Sequence, residues 1–145
     1  MISVVIIGII GAIALPRLSR GASGSAEAAL RQDLSVLRSA IDLFTTEHCG
    51  IHPTDASTLV DQLTLCSDAA GNTSATPTAS HIYGPYIRSM PALPVGKNKG
   101  SAEIRGNGQP GSGHQGWFYD KATAQIVAST KDTETDEQGT KYNEY

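Results

Sequence analysis

Uncharged positions run without a break from Met1 to Leu15 (MISVVIIGIIGAIAL), and the first charge, Arg17, comes directly after Pro16. A segment this apolar has no place on a soluble surface, so it lies in lipid, in a protein core or against copies of itself. Downstream the pattern changes. Leu30, Leu34, Leu37, Ile41 and Phe44 recur at steps of four and three, while Arg31, Asp33, Arg38, Asp42 and Glu47 fall on other faces. That spacing predicts an amphipathic helix, which Cys49-Gly50 and then Pro53 bring to an end. Pro16 removes one backbone hydrogen bond and is expected to kink or locally melt the rod, with Gly21 and Gly24 loosening the same stretch. From Met1 to Cys49 the rod measures about 70 Å at 1.5 Å per residue.

The apolar run covers only about 22 Å, whereas a bilayer's hydrocarbon core needs about 20 residues. It therefore reads as truncated at its front by roughly five or six residues. A secretory signal peptide has an apolar stretch of this length, and Ala12-Ile13-Ala14 has the form of a cleavage site. No Lys or Arg precedes the stretch, however, and an in-phase helix follows it. A buried core helix would need a larger domain around it than the Gly- and Thr-rich remainder supplies.

After the rod, Asp55 to Leu63 reads as a short helix capped by Thr54 or Asp55, with Leu59, Val60 and Leu63 inward. Ser67 to Ser80 is a polar loop. Pro85, Pro91 and Pro94 punctuate an extended connection in which Tyr83, Tyr86, Ile87 and Leu93 pack. Residues 102–105, 117–119 and 125–128 are strand candidates, and Asp120-Lys121-Ala122-Thr123 is a hairpin turn. The fold class is thus α+β: a long N-terminal helix, hydrophobic then amphipathic, packed on a small antiparallel sheet of three or four strands. Its organisation divides into residues 1–24, a hydrophobic membrane or filament-core helix; 25–52, the amphipathic helix; and 53–145, a small globular domain.

An uncharged Ile/Val/Gly/Ala helix entering Ala14-Leu15-Pro16-Arg17, then an amphipathic helix and a small Gly-rich domain, is similar to the type IV pilin and type II secretion pseudopilin superfamily. Gly84-Pro85-Tyr86-Ile87 and Gly116-Trp117-Phe118-Tyr119-Asp120-Lys121-Ala122-Thr123 resemble segments of the major pseudopilin. The resemblance implies a filament subunit stored in the inner membrane by a single pass, then assembled through its N-terminal helix into an extracytoplasmic filament by secretion or pilus machinery. Ile6, Gly8, Ile9, Gly11, Ala12, Ala14 and Pro16 would form the filament core, the small residues permitting close helix approach. The chain departs from the family at its front, where the prepilin-peptidase site and the Phe-Thr-Leu-x-Glu segment are missing. That removes the Glu that pairs with a neighbouring subunit's N-terminal amine. Within the class, a secretion pseudopilus is favoured over a surface pilus for adhesion or motility. A membrane-anchored exported binding module is the alternative from another class.

Composition adds limits. Eleven basic and fourteen acidic residues give a net charge of −3 with no basic stripe, which argues against nucleic acid as a partner. Cys49 and Cys66 follow the two helices, and a helix-loop-helix return in an exported domain predicts a disulfide between them, the alternative being two unpaired thiols. Such a bond would contribute about 3 kcal/mol in the chain-entropy model. Gly106-x-Gly108-x-x-Gly111 matches the dinucleotide fingerprint, but Pro110 interrupts it and it leads into a strand, so it reads as a hairpin loop. His48, Cys49, His52 and Cys66 lack the two close pairs of a zinc site, and the histidines are placed on the surface. Nothing activates a nucleophile, so the chain reads as a non-enzyme. Finally, Asp132, Glu134 and Asp136 alternate on the acidic tail. Major pseudopilins bind calcium in a C-terminal loop, so the resemblance makes these three candidate Ca²⁺ ligands, the alternative being a solvated, mobile tail.

Overall fold

A computed structural model describes the backbone from Ile2 to Tyr145 and the side chains from Ser23 onward. The long helix α1 runs over Ile2–Glu47, 46 residues. The expected filament-core residues Ile6, Gly8, Ile9, Gly11, Ala12, Ala14 and Pro16, with the kink at Pro16, lie outside the described side chains. A short helix α2, Ala56–Thr64, follows, and then strands β1 (Cys66–Ser67), β2 (Thr73–Ser74), β3 (Ile104–Arg105), β4 (Trp117–Asp120) and β5 (Gln125–Ala128). A single 3-10 turn, Tyr142–Glu144, precedes the last residue.

Helix α1 stops where the sequence predicts a stop. Cys49 and Gly50 both turn left-handed, at φ 56° and 88°, and Gly50 N–H donates to the Thr45 carbonyl at 2.8 Å. That bond from C″ to C3 is the Schellman closure, here with cysteine at the position usually held by glycine. Residues Leu30, Leu34, Leu37, Ile41 and Phe44 are buried, as the stripe requires. They share one core with Leu59 and Leu63 of α2, Leu93, Val95, Trp117, Tyr119, Ile126 and Ala128. Strands β4 and β5 alternate as expected, sending Trp117 and Tyr119, then Ile126 and Ala128, toward α1. Buried polar tips find partners: the Trp117 indole donates to the Pro91 carbonyl and the Tyr119 hydroxyl to that of Pro53, both at 2.8 Å.

The sheet corrects the expectation of an all-antiparallel one. β4 and β5 form the expected hairpin, Trp117 opposite Ala128, but β3 lies parallel to β4, Ile104 beside Trp117. The glycine-rich loop between β3 and β4 is therefore a crossover and not a hairpin. Arg105 organises it, its guanidinium donating to the carbonyls of Asn107 and Ser112. Close backbone approach explains its last glycine, for a Cβ on Gly116 would stand 2.0 Å from the Ser101 carbonyl oxygen. A second, two-stranded ribbon, β1 with β2, occupies the segment expected to be a loop. Asp68 makes its turn: its carboxylate accepts from the backbone N–H groups of Ala70 and Asn72 and from the Asn72 amide. Those bonds, the Asn72 ones foremost, hold its carboxyl below the usual range.

Among the described residues no helix is long and apolar enough to cross a membrane, and this overturns the single-pass inner-membrane placement. The reason lies in the described half of α1, where Glu27, Arg31, Asp33, Arg38, Asp42 and Glu47 put a charge within every two turns.

Candidate assembly face of the long helix

With its hydrophobic stripe packed on the domain, α1 turns its opposite side to solvent. Ser25, Ala28, Gln32, Ser35, Val36, Ser39, Leu43 and Thr46 occupy that side, all exposed and none charged. Over these six turns, about 30 Å, an ordinary solvated helix would carry Lys and Glu. Val36 and Leu43, seven residues apart on one face, remain 47% and 54% exposed. Most of the charges beside this face are drawn onto the chain's own domain, while Asp42 stays exposed at its edge. Arg38 donates to the Ile126 and Tyr145 main-chain oxygens, and Glu47 accepts from the Tyr86 hydroxyl at 2.5 Å. Asp33 is partly covered, and burial raises its carboxyl above the usual range. What is left is a smooth, small-residue surface with two apolar projections. Sequence periodicity missed it because Val36 and Leu43 lie off the dominant stripe; the signal was the run of uncharged positions at 25, 28, 32, 35, 39 and 46.

The C-terminal segment closes against the flank of this face. Tyr145 stacks under Arg31, whose guanidinium carbon lies 4.6 Å from the ring centroid, and the Arg31 Nη2 donates to the Tyr145 hydroxyl at 3.0 Å. That hydroxyl donates in turn to Asp136 Oδ2. Desolvation, then the Asp136 carboxylate, pushes the Tyr145 hydroxyl up to about 12.

The proposed calcium ligands are not brought together. Asp132 accepts from the Asn143 amide at 2.9 Å and pairs with Lys141. Glu134 accepts from the Lys131 and Lys97 backbone N–H groups. Asp136, nearly buried, accepts from the Gln138 and Thr140 N–H groups and from Tyr145. Each carboxylate is thus satisfied by different protein donors, and among the described residues no group of three His, Cys, Asp or Glu could hold a metal ion. The same bonds show that the tail is not merely solvated, since Thr135 and Lys141 form an antiparallel bridge and Tyr145 donates to Asp136.

The expected disulfide is absent as well: Cys49 and Cys66 are free, the first exposed and the second buried. Successive strand residues point to opposite sides, and Ser67 turns to His48, the neighbour of Cys49, so Cys66 turns away from it. Nor are the histidines all superficial. His48 is 1% exposed, while His52 approaches the Lys121 carbonyl at 3.0 Å. An open groove of about 500 Å³ lies between Arg38 and Asp42 of α1 and the β4–β5 turn. Compared with known proteins, the chain matches no family model, no curated protein and no solved structure.

Proposed function

We propose that this chain is the repeating subunit of a filament of the type IV pilin and pseudopilus kind, with α1 as the assembling element and the globular domain as the outer surface. The observation that carries the reading is the six-turn uncharged outer face of α1, with Val36 and Leu43 exposed on a helix whose other side is fully packed. A second copy's helix is its natural cover, because small residues let two helices approach and the two apolar side chains seat between turns. The work of the protein is then packing and not chemistry. Resemblance of the 84–87 and 116–123 segments to the major pseudopilin favours a secretion pseudopilus within this class. Val36→Glu combined with Leu43→Lys tests the face directly. Filaments or oligomers of the full chain are expected to be lost, by electron microscopy and sedimentation, while the melting curve of the domain stays unchanged. Assembly that survives both substitutions would overturn the reading.

A further inference from the structure

Glu27 continues the buried stripe of α1 one turn before Leu30 and is 6% exposed. Its Oε1 is enclosed with no hydrogen-bond partner, and among the described residues neither of its oxygens joins a hydrogen bond or an ion pair. Of the two buried acids there, Asp136 accepts from three donors and Glu27 from none. A buried oxygen without a donor destabilises the fold that holds it. The nearest cations are not directed to it. Arg31, one turn further along α1, lies over Tyr145 and 3.9 Å from Asp136.

An open groove adjoins this side chain. Helical side chains lean toward the N-terminus, so Glu27 is directed over the turn of Ser23. Ser23 and Ala26 of that turn line a groove of about 320 Å³ together with Val95, Lys99 and Tyr142 of the domain. After desolvation, Glu27 is the next cause that raises the Tyr142 hydroxyl above its ordinary value, which places the carboxyl beside that wall as well. Lys99, on the same wall, forms no ion pair with it.

We propose that this groove is the socket for a guanidinium of a second copy of the chain, that of Arg17 or Arg20, which donates to Glu27; the proposal rests on the filament reading. Residues 1–26 hold those two arginines as their only charges and no acid. Along one helix a side chain meets only positions three or four residues away, and the two arginines precede Glu27 by ten and seven. One copy therefore does not close the pair along its own helix, whereas copies displaced along the helix axis do. A guanidinium suits the site because its planar fork of donors serves both carboxyl oxygens at once. The unanswered oxygen burdens the free subunit and is satisfied on assembly, so it favours the filament over the single subunit.

Glu27→Gln, Arg17→Gln and Arg20→Gln in the full chain test the socket, each studied as free subunit in detergent and as filament. In the free subunit Glu27→Gln is expected to leave the melting temperature unchanged or to raise it, because no donor there serves the carboxyl. In assembly the same substitution is expected to raise the critical concentration at least about tenfold, by sedimentation, and one of the two arginine substitutions to match it. Combining that pair adds nothing further, the mark of two groups that act on each other. A lowered melting temperature of the Glu27→Gln subunit overturns the proposal, for Arg31 or Lys99 would then already serve Glu27. Filaments indifferent to Glu27→Gln overturn it too, as do arginine effects that add in full. These outcomes leave the filament reading standing; a native chain that never assembles removes both.

Discussion

Arg31 and Tyr145, at opposite ends of the described chain, meet face to face: the guanidinium lies over the phenol ring and also donates to its hydroxyl at 3.0 Å. The contact ties the acidic C-terminal segment to the helix that carries the proposed assembly face. Through the hydroxyl it also satisfies Asp136, whose side chain is 2% exposed and 3.9 Å from Arg31. Tyr145→Phe keeps the stacking and removes the bond. The Tyr145 bond is the main reason the Asp136 carboxyl lies below the usual range, so its stabilising share is present above the unfolded carboxylate range, near pH 4, and is lost as pH falls through the lower folded value. The variant is therefore expected to melt below the native chain at neutral pH, the gap closing in acid. Equal melting temperatures at pH 7 would show that the bond contributes nothing.

Leu34 stands at the centre of the stripe, 1% exposed, in the core that joins α1 to β4 and β5. Leu34→Ala leaves a cavity that the two layers cannot close, and is expected to lower the unfolding free energy by about 2–5 kcal/mol in a urea titration. A loss under about 1 kcal/mol would mean that α1 is only loosely seated on the sheet.

Calcium should leave the molecule unchanged. The three acidic side chains once aligned by sequence spacing already accept from Asn143, Lys131, Lys97, Gln138, Thr140 and Tyr145. Melting curves of the full chain with millimolar calcium and with chelator are expected to coincide. A rise with calcium that Asp136→Ala abolishes would show that those bonds rearrange around a cation.

Period made most of this architecture readable from sequence. The four-three spacing of Leu30 to Phe44 located the buried face of α1, and the alternation of Trp117, Tyr119, Ile126 and Ala128 located β4 and β5, because both patterns report burial directly. What escaped depends on long-range pairing. Two-residue strands such as β3 carry no alternation, so nothing local announced that Ile104 runs parallel to Trp117. His48 looked superficial because its burial comes from Asp68 and Tyr83, twenty and more residues away. The uncharged outer face of α1 was legible only in the negative, as positions where charge was expected and missing.

Cys49 is where local strain and free thiol chemistry meet. It holds a left-handed φ of 56° at the C′ position of α1, a conformation that costs a residue with a Cβ about 1–2 kcal/mol. Glycine avoids that cost but loses about 0.5–1 kcal/mol through its freer unfolded chain. Cys49→Gly is therefore expected to leave the fold as stable or up to about 1 kcal/mol more stable in a urea titration. A disulfide to Cys66 would reverse the outcome, since the same substitution would then break a crosslink worth about 3 kcal/mol in the chain-entropy model. Alkylation of the non-reduced native chain gives the parallel readout. Exposed Cys49 is expected to react at once and buried Cys66 only on unfolding, whereas two protected thiols released by reductant would show that the bond forms.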